Sequence, residues 1–175
     1  YSSSMKKIGL ILEGQAVLYC IDEDGNQYMI DNLKKDSVFG EPFLLPEESQ
    51  HYYVCAKSET RVLFIAYEHV IKRCENACKF HSQLVSNLLQ MIALRASQQA
   101  NRIYVLSRNS IRKKIMTYLN SIAAEKQTKT VILPMSYTTL AEYLSVDRSA
   151  MMRELKNLAD EGIIERDGKK LRILD

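Results

Sequence analysis

The sequence predicts an α+β protein: an antiparallel, jelly-roll-like β-roll, then a long helix, then a C-terminal helix-turn-helix closed by a hairpin. Three observations carry this. Residues 8–67 fall into short Val-, Ile- and Tyr-rich runs broken by turn residues, the mark of strands. Residues 80–106 contain neither Gly nor Pro and repeat apolar or small residues in steps of four and three. Residues 136–173 hold two short capped helices and a Gly-containing hairpin.

In the first segment, strands are expected at Ile8–Leu12, Ala16–Ile21, Gln27–Ile30, Ser37–Phe39, Tyr52–Ala56 and Arg61–Ile65. Glu13-Gly14 separates the first two and Asp22–Asn26 the next pair, so two hairpins in succession are expected. Gly40-Glu41-Pro42 and Pro46–Ser49 supply further breaks. The long helix carries a heptad seam of Val85, Leu89, Ile92, Ala96, Gln99, Ile103 and Leu106. A second stripe of Leu84, Leu88 and Met91 gives it another apolar face. One face for its own sheet and one for a copy of itself predicts a homodimer; the alternative is a single amphipathic core helix.

Ser107–Ser110 breaks the seam, and Ser110 caps a helix to about Lys126 with Ile111, Ile115, Leu119 and Ile122 inward. A short strand at Val131–Leu133 follows. Ser136 then caps a helix with Leu140, Ala141 and Leu144 on its inner side, and Ser145-Val146-Asp147 makes a tight turn. Asp147 caps the second helix, 148–160, which turns Met151, Leu155 and Leu158 inward and Arg148, Ser149, Met152, Arg153 and Lys156 elsewhere. Gly162 ends that helix, and 163–173 reads as a hairpin with Asp167-Gly168 at its tip. This is a winged helix-turn-helix. The expected domains are 1–79, 80–106 and 107–175.

Charge agrees with that division. Residues 1–106 hold 11 Lys/Arg against 12 Asp/Glu, whereas 107–175 hold 13 against 9, so the positive excess sits on the winged helix. Arg148 and Arg153 offer guanidinium forks to guanine edges or phosphates in a major groove, and Lys169 and Lys170 at the wing tip suit the phosphate backbone. The alternative use of such a fold is protein contact.

The rest of the composition narrows the class. Hydrophobic residues at 46% and charged residues at 26% are those of a folded globular chain. No stretch reaches the roughly 18 to 20 apolar residues of a membrane span and no signal peptide opens the chain, so a soluble, cytoplasmic protein without a membrane partner is expected. No phosphate-gripping glycine loop, nucleophile elbow or His/carboxylate metal spacing is present, so no catalytic or metal-binding residues are assigned.

The chain resembles the Crp/Fnr superfamily of bacterial transcription regulators. The resemblance is carried by Ile8-Gly-Leu-Ile-Leu-Glu-Gly14, Asp22-Glu-Asp-Gly25, Phe39-Gly-Glu41, Leu140-Ala-Glu-Tyr-Leu-Ser-Val-Asp-Arg-Ser-Ala150 and Leu158-Ala-Asp-Glu-Gly-Ile-Ile164. It implies an effector-sensing β-roll of the cyclic-nucleotide-binding type, a dimerisation helix and a DNA-binding winged helix. Arg148, Ser149 and Arg153 fall where that family contacts bases, and Ser136, Tyr137 and Thr138 where it touches phosphates. The implied partners are double-stranded operator DNA, a second copy of the chain and an unidentified small effector, with RNA polymerase a further candidate. It also implies that the opening of the roll precedes Tyr1.

Departures from the family pattern bear on the effector. Relatives that bind cyclic AMP place an Arg-Ser or Arg-Thr pair against the cyclic phosphate, a group that when buried requires a cation and donors. Gln50-His51 aligns there, and no Arg occurs between Gly40 and Ala56. An effector other than cyclic AMP is expected, in a pocket near Gly40, Glu41, Gln50, His51, Tyr52 and Tyr53. Glu41 either meets a ribose or satisfies nearby backbone donors. An iron–sulfur cluster is not expected, because Cys20 and Cys55 lie in strands and Cys74 and Cys78 sit four apart in a helix. Haem is not expected either, since His51, His69 and His81 belong to no ligand motif.

Overall fold

The computed structural model describes residues 7–40, 51–71 and 79–174, in two compact units, Tyr1–Gln99 and Ala100–Asp175. Among the described residues the first unit has six strands: β1 (Lys7–Glu13), β2 (Ala16–Ile21), β3 (Gln27–Leu33), β4 (Val38–Phe39), β5 (His51–Ala56) and β6 (Arg61–Ala66). The short helix α1 (Tyr67–Ile71) and most of the long helix α2 (Lys79–Leu106) follow. The strands form two antiparallel three-stranded sheets, in the orders β4-β1-β6 and β3-β2-β5. Ile11, Ala16, Leu18, Leu33 and Phe39 fill one core cluster between them.

Of the two expected hairpins, the second forms and the first does not. β2 pairs β3 across a turn in which the Asp22 carboxylate accepts from the Asp24 and Asn26 amides at 3.0 and 2.8 Å. β1 and β2, in contrast, belong to different sheets. At Gly14, φ +86°, the chain turns a corner from one sheet to the other, and an added Cβ would lie 2.2 Å from the Glu59 carbonyl oxygen. The β5-to-β6 connection makes the reverse crossing at the same place. Gln15 donates to Ser58 Oγ at 3.0 Å, and its carbonyl accepts from the Lys57 amide at 2.8 Å and the Thr60 hydroxyl at 3.1 Å. The backbone groups of Gln15 are therefore satisfied by residues 57–60 and not by a hairpin partner. A Glu-Gly pair between strands marks a reversal of direction without saying which sheet receives the chain.

α2 uses its two apolar stripes differently. Leu88 is buried with Ile8 and Val38, with Leu84 and Met91 packed against them, while Leu89 and Ile92 are exposed. The buried face also carries a charge: Arg95, 8% exposed, donates from Nε to Asp31 of β3 at 3.0 Å and from Nη1 to the Val38 carbonyl at 2.7 Å. The heptad pattern alone holds no sign of this pair, because its partners are 64 residues apart.

The second unit takes the end of α2 from Ala100, then α3 (Ile111–Lys126), β7 (Thr130–Ile132), α4 (Tyr137–Leu144), α5 (Arg148–Asp160), β8 (Ile164–Asp167) and β9 (Lys170–Ile173). The wing is a three-stranded sheet in the order β7-β9-β8, so β7 precedes the helices yet closes the sheet beyond them. Its core joins Ile115, Tyr118 and Leu119 of α3 to Leu140, Ala141 and Leu144 of α4, Met151, Leu155 and Leu158 of α5, and Ile164, Leu171 and Ile173 of the wing. Every inward residue expected for α4 and α5 is within this core. Val105, near the end of α2, is fully buried in it as well. Among the described residues no helix is long and apolar enough to cross a membrane.

Candidate nucleic-acid interface

The helix-turn-helix is fixed by local chemistry. Ser136 Oγ accepts from the Thr139 amide and Asp147 Oδ1 from the Ala150 amide, at 3.1 and 2.8 Å, capping α4 and α5. Between them Ser145 takes a left-handed conformation, φ +50°, while its amide and that of Val146 bond back to the carbonyls of Glu142 and Ala141. Val146 is half-buried against the core, and Ala141, 2% exposed, leaves room for the helices to cross.

Two cations grip the carbonyl end of α4. Arg102 Nε donates to the Tyr143 carbonyl at 3.1 Å with its guanidinium 4.8 Å from the Tyr143 ring centroid, and Lys114 Nζ donates to the Leu144 carbonyl at 3.2 Å. Positive charge at a helix C-terminus is favourable, so both bonds stabilise the entrance to the turn. α5 is braced from its other side: Arg112 of α3 bonds Glu154 at 2.5 Å and forks onto Glu161 at 2.7 and 2.6 Å. That guanidinium holds the Glu161 carboxyl below its ordinary value, while the two carboxylates raise the pKa of Arg112. These positioning contacts escape sequence reading because they join residues 30 to 49 apart.

With its apolar side in the core, α5 turns Arg148, Ser149, Arg153 and Lys156 to solvent. Met152 is half-buried against the core and is less available than those four. Thr138 is exposed, whereas the Ser136 hydroxyl is engaged in its cap. Tyr137, the first residue of α4, points its hydroxyl at the wing and donates to the Gly168 carbonyl at 2.5 Å. Lys169 and Lys170 are exposed at the wing tip. α5 and the wing together present cationic side chains and a few small polar ones, a set able to meet phosphates and base edges.

The roll residues are less assembled. Gly40 turns at φ +107°, where a Cβ would lie 2.7 Å from the Lys7 carbonyl oxygen. Tyr52 packs toward the core cluster between the sheets, while Tyr53, its neighbour along β5, stacks on Tyr19 at 5.4 Å. Successive strand residues point to opposite faces, so these two tyrosines do not line one cavity. His51 begins β5, and Glu41 and Gln50 lie outside the described residues. Cys20 and Cys55 are half-buried free thiols; Cys74 and Cys78 lie outside the described residues. The His81 ring contacts the Val70 carbonyl at 3.1 Å and His69 is exposed. Among the described residues no three His, Cys, Asp or Glu side chains gather as a metal site.

A two-sheet roll, a long helix and a winged helix-turn-helix define a two-unit protein in which a roll precedes a DNA-binding type of domain. The model of the cyclic nucleotide-binding domain matches residues 3–77, and that of the Crp-like helix-turn-helix domain matches residues 113–175. Residues 3–77 and 113–175 thus match the two domain types that Crp/Fnr transcription regulators join in one chain. A protein of Lacticaseibacillus casei named "Probable transcriptional regulator flp" is 40% identical over 70 residues, 40% of this chain and 32% of that protein. The match therefore spans about a third of the length of that curated relative.

Three solved structures share the fold. FixK2 from Bradyrhizobium japonicum superposes with a TM-score of 0.66 at 20% identity, over 97% of this chain and 83% of its own. TTHA1359, a transcriptional regulator of the CRP/FNR family from Thermus thermophilus, gives 0.63 at 22% identity, over 97% and 83%. A CooA variant from Carboxydothermus hydrogenoformans gives 0.74 at 15% identity, over 97% and 75%.

Proposed function

We propose that this chain is a dimeric, sequence-specific DNA-binding transcription regulator. The observation that carries the reading is the exposed face of α5. A helix capped by Asp147 and fastened by the cores of α3 and α4 offers Arg148, Ser149, Arg153 and Lys156 together, with Lys169 and Lys170 on the wing beside it. Such a helix fits a major groove, and the wing fits the adjoining backbone. The partner is duplex DNA, and α2 supplies the surface for a second copy through Val85, Leu89, Ile92, Ala96, Gln99, Ile103 and Leu106. Of these, Val85, Leu89, Ile92 and Ile103 are large exposed hydrophobics.

Control falls to the roll, through a small effector other than cyclic AMP. Supporting this is the absence of any Arg between Gly40 and Ala56 to neutralise a cyclic phosphate. Titration of the chain with cyclic AMP should give no binding heat at micromolar concentration. The deciding experiment for the DNA reading is retention of a mixed-sequence duplex across a salt series. Affinity should fall steeply and linearly in log salt, since each phosphate contact releases counterions. A chain that ignores duplex DNA at low salt would refute the reading and leave the winged helix as a protein-binding module.

A further inference from the structure

The wing tip is tied down in a way that reassigns Tyr137. Gly168 and Lys169 turn the chain between β8 and β9, and Gly168 sits at φ +54°. The carbonyls of so tight an exposed turn ordinarily bond to water. Here both are taken by protein: Lys169 accepts from the Leu133 amide at 2.9 Å and Gly168 from the Tyr137 hydroxyl at 2.5 Å. The Tyr137 ring is half-buried against the core, and the Arg166 guanidinium lies 5.9 Å from its centroid. The first turn of α4 is thus fastened to a hairpin tip 31 residues further along the chain.

A phenol has one proton to donate. Committed to the Gly168 carbonyl, it is not available to a phosphate oxygen, and the lone pairs left on the oxygen repel an anion. Burial pushes the Tyr137 pKa up against the opposing influence of Arg166, which keeps the proton in place. Lys169 and Lys170 follow immediately, and their height above α5 depends on where that turn is held.

We propose that Tyr137 is a positioning residue for DNA binding: its hydroxyl, bonded to the Gly168 carbonyl, sets the wing so that Lys169 and Lys170 reach the phosphate backbone, and it makes no phosphate contact of its own. This rests on the DNA-binding reading above and assigns how one part of that interface is built.

The test is a double-mutant cycle on the full chain. Tyr137→Phe is made in the wild-type background and in a Lys169→Ala/Lys170→Ala background. Each protein is titrated by anisotropy with a mixed-sequence duplex of about three helical turns across a salt series. Removing the hydroxyl should weaken binding about 3- to 10-fold in the wild-type background, as for one lost neutral hydrogen bond, and flatten the salt slope. In the double-alanine background it should change nothing, because there is no wing lysine left to misplace. Amide exchange at Lys169 and Lys170 should accelerate in Tyr137→Phe without DNA present.

An equal loss in both backgrounds would make Tyr137 a direct phosphate contact and overturn the proposal, as would wild-type affinity or unchanged wing exchange in Tyr137→Phe. A wild-type chain that fails to bind the duplex overturns the DNA reading and takes this proposal with it. The exchange measurement then reports separately whether the hydroxyl holds the tip.

Discussion

Arg95 of α2 and Asp31 of β3 form a buried ion pair. An arginine this deeply buried is stable only while its charge is matched, and Asp31 and the Val38 carbonyl contribute to that match. Asp31→Ala should therefore cost on the order of 3 kcal/mol, far more than an exposed pair would. Replacing both partners, Arg95→Met with Asp31→Leu, should recover much of it. Urea denaturation of the two variants beside wild type decides the matter, and an Asp31→Ala midpoint equal to wild type would rule out that the buried charge depends on Asp31. The same scale holds the base-reading question. Arg148→Ala or Arg153→Ala should cost about 1 to 3 kcal/mol on a selected binding site and relax preference at one base position. Lys169→Ala and Lys170→Ala should weaken selected and scrambled duplexes alike. Equal losses on both duplexes for both arginine variants would leave sequence to Ser149 or to DNA shape.

Between elements, the Arg112 fork from α3 onto Glu161 at the end of α5 predicts a pH dependence. Bonding to Arg112 depresses the folded-state pKa of Glu161, so its contribution is fully present above the unfolded carboxylate range and is lost as pH falls through the folded value. The stability difference between wild type and Glu161→Gln should be constant above about pH 5 and shrink below it. A difference that persisted to low pH would show that the fork acts through shape and not charge. α2 supplies the other test at this scale. Because Ile92 is 43% exposed, Ile92→Glu should leave each copy folded yet yield monomers by sedimentation, with weakened duplex binding. A variant that stays dimeric would place the interface elsewhere.

Elements whose cause is local were legible from the amino-acid pattern. Ser110, Ser136 and Asp147 cap the helices that begin after them, and the inward stripes of α4 and α5 follow the 3.6-residue period. The two stripes of α2 also divide as the spacing requires, Leu88 inward and Leu89 outward. What could not be read was pairing at a distance. Gly14 looks the same whether β1 turns back on itself or crosses to a second sheet; the residues that decide, Lys57 to Thr60, are more than forty positions away. Arg95 interrupts no pattern, and Tyr137 reads by resemblance as a phosphate contact, with nothing in the pattern to place Gly168 beside it.

At the scale of the whole molecule, the sequence breaks at Ser107 but the packing does not. Val105 has no exposed surface and belongs to the winged-helix core, and Arg102 closes the end of α4. Anyone excising the DNA-binding part for crystallography or spectroscopy would naturally cut at the visible break. A fragment started at Ser107 would carry a hole the size of a valine side chain and lose the Arg102 bond to Tyr143, a loss of about 2 kcal/mol from the first alone. One started at Ala100 keeps both, and its melting temperature should be several degrees higher. Equal melting of the two fragments would mean that the last turns of α2 are ornamental to the domain they adjoin. The higher value would make residues 100–106 its first helical turns.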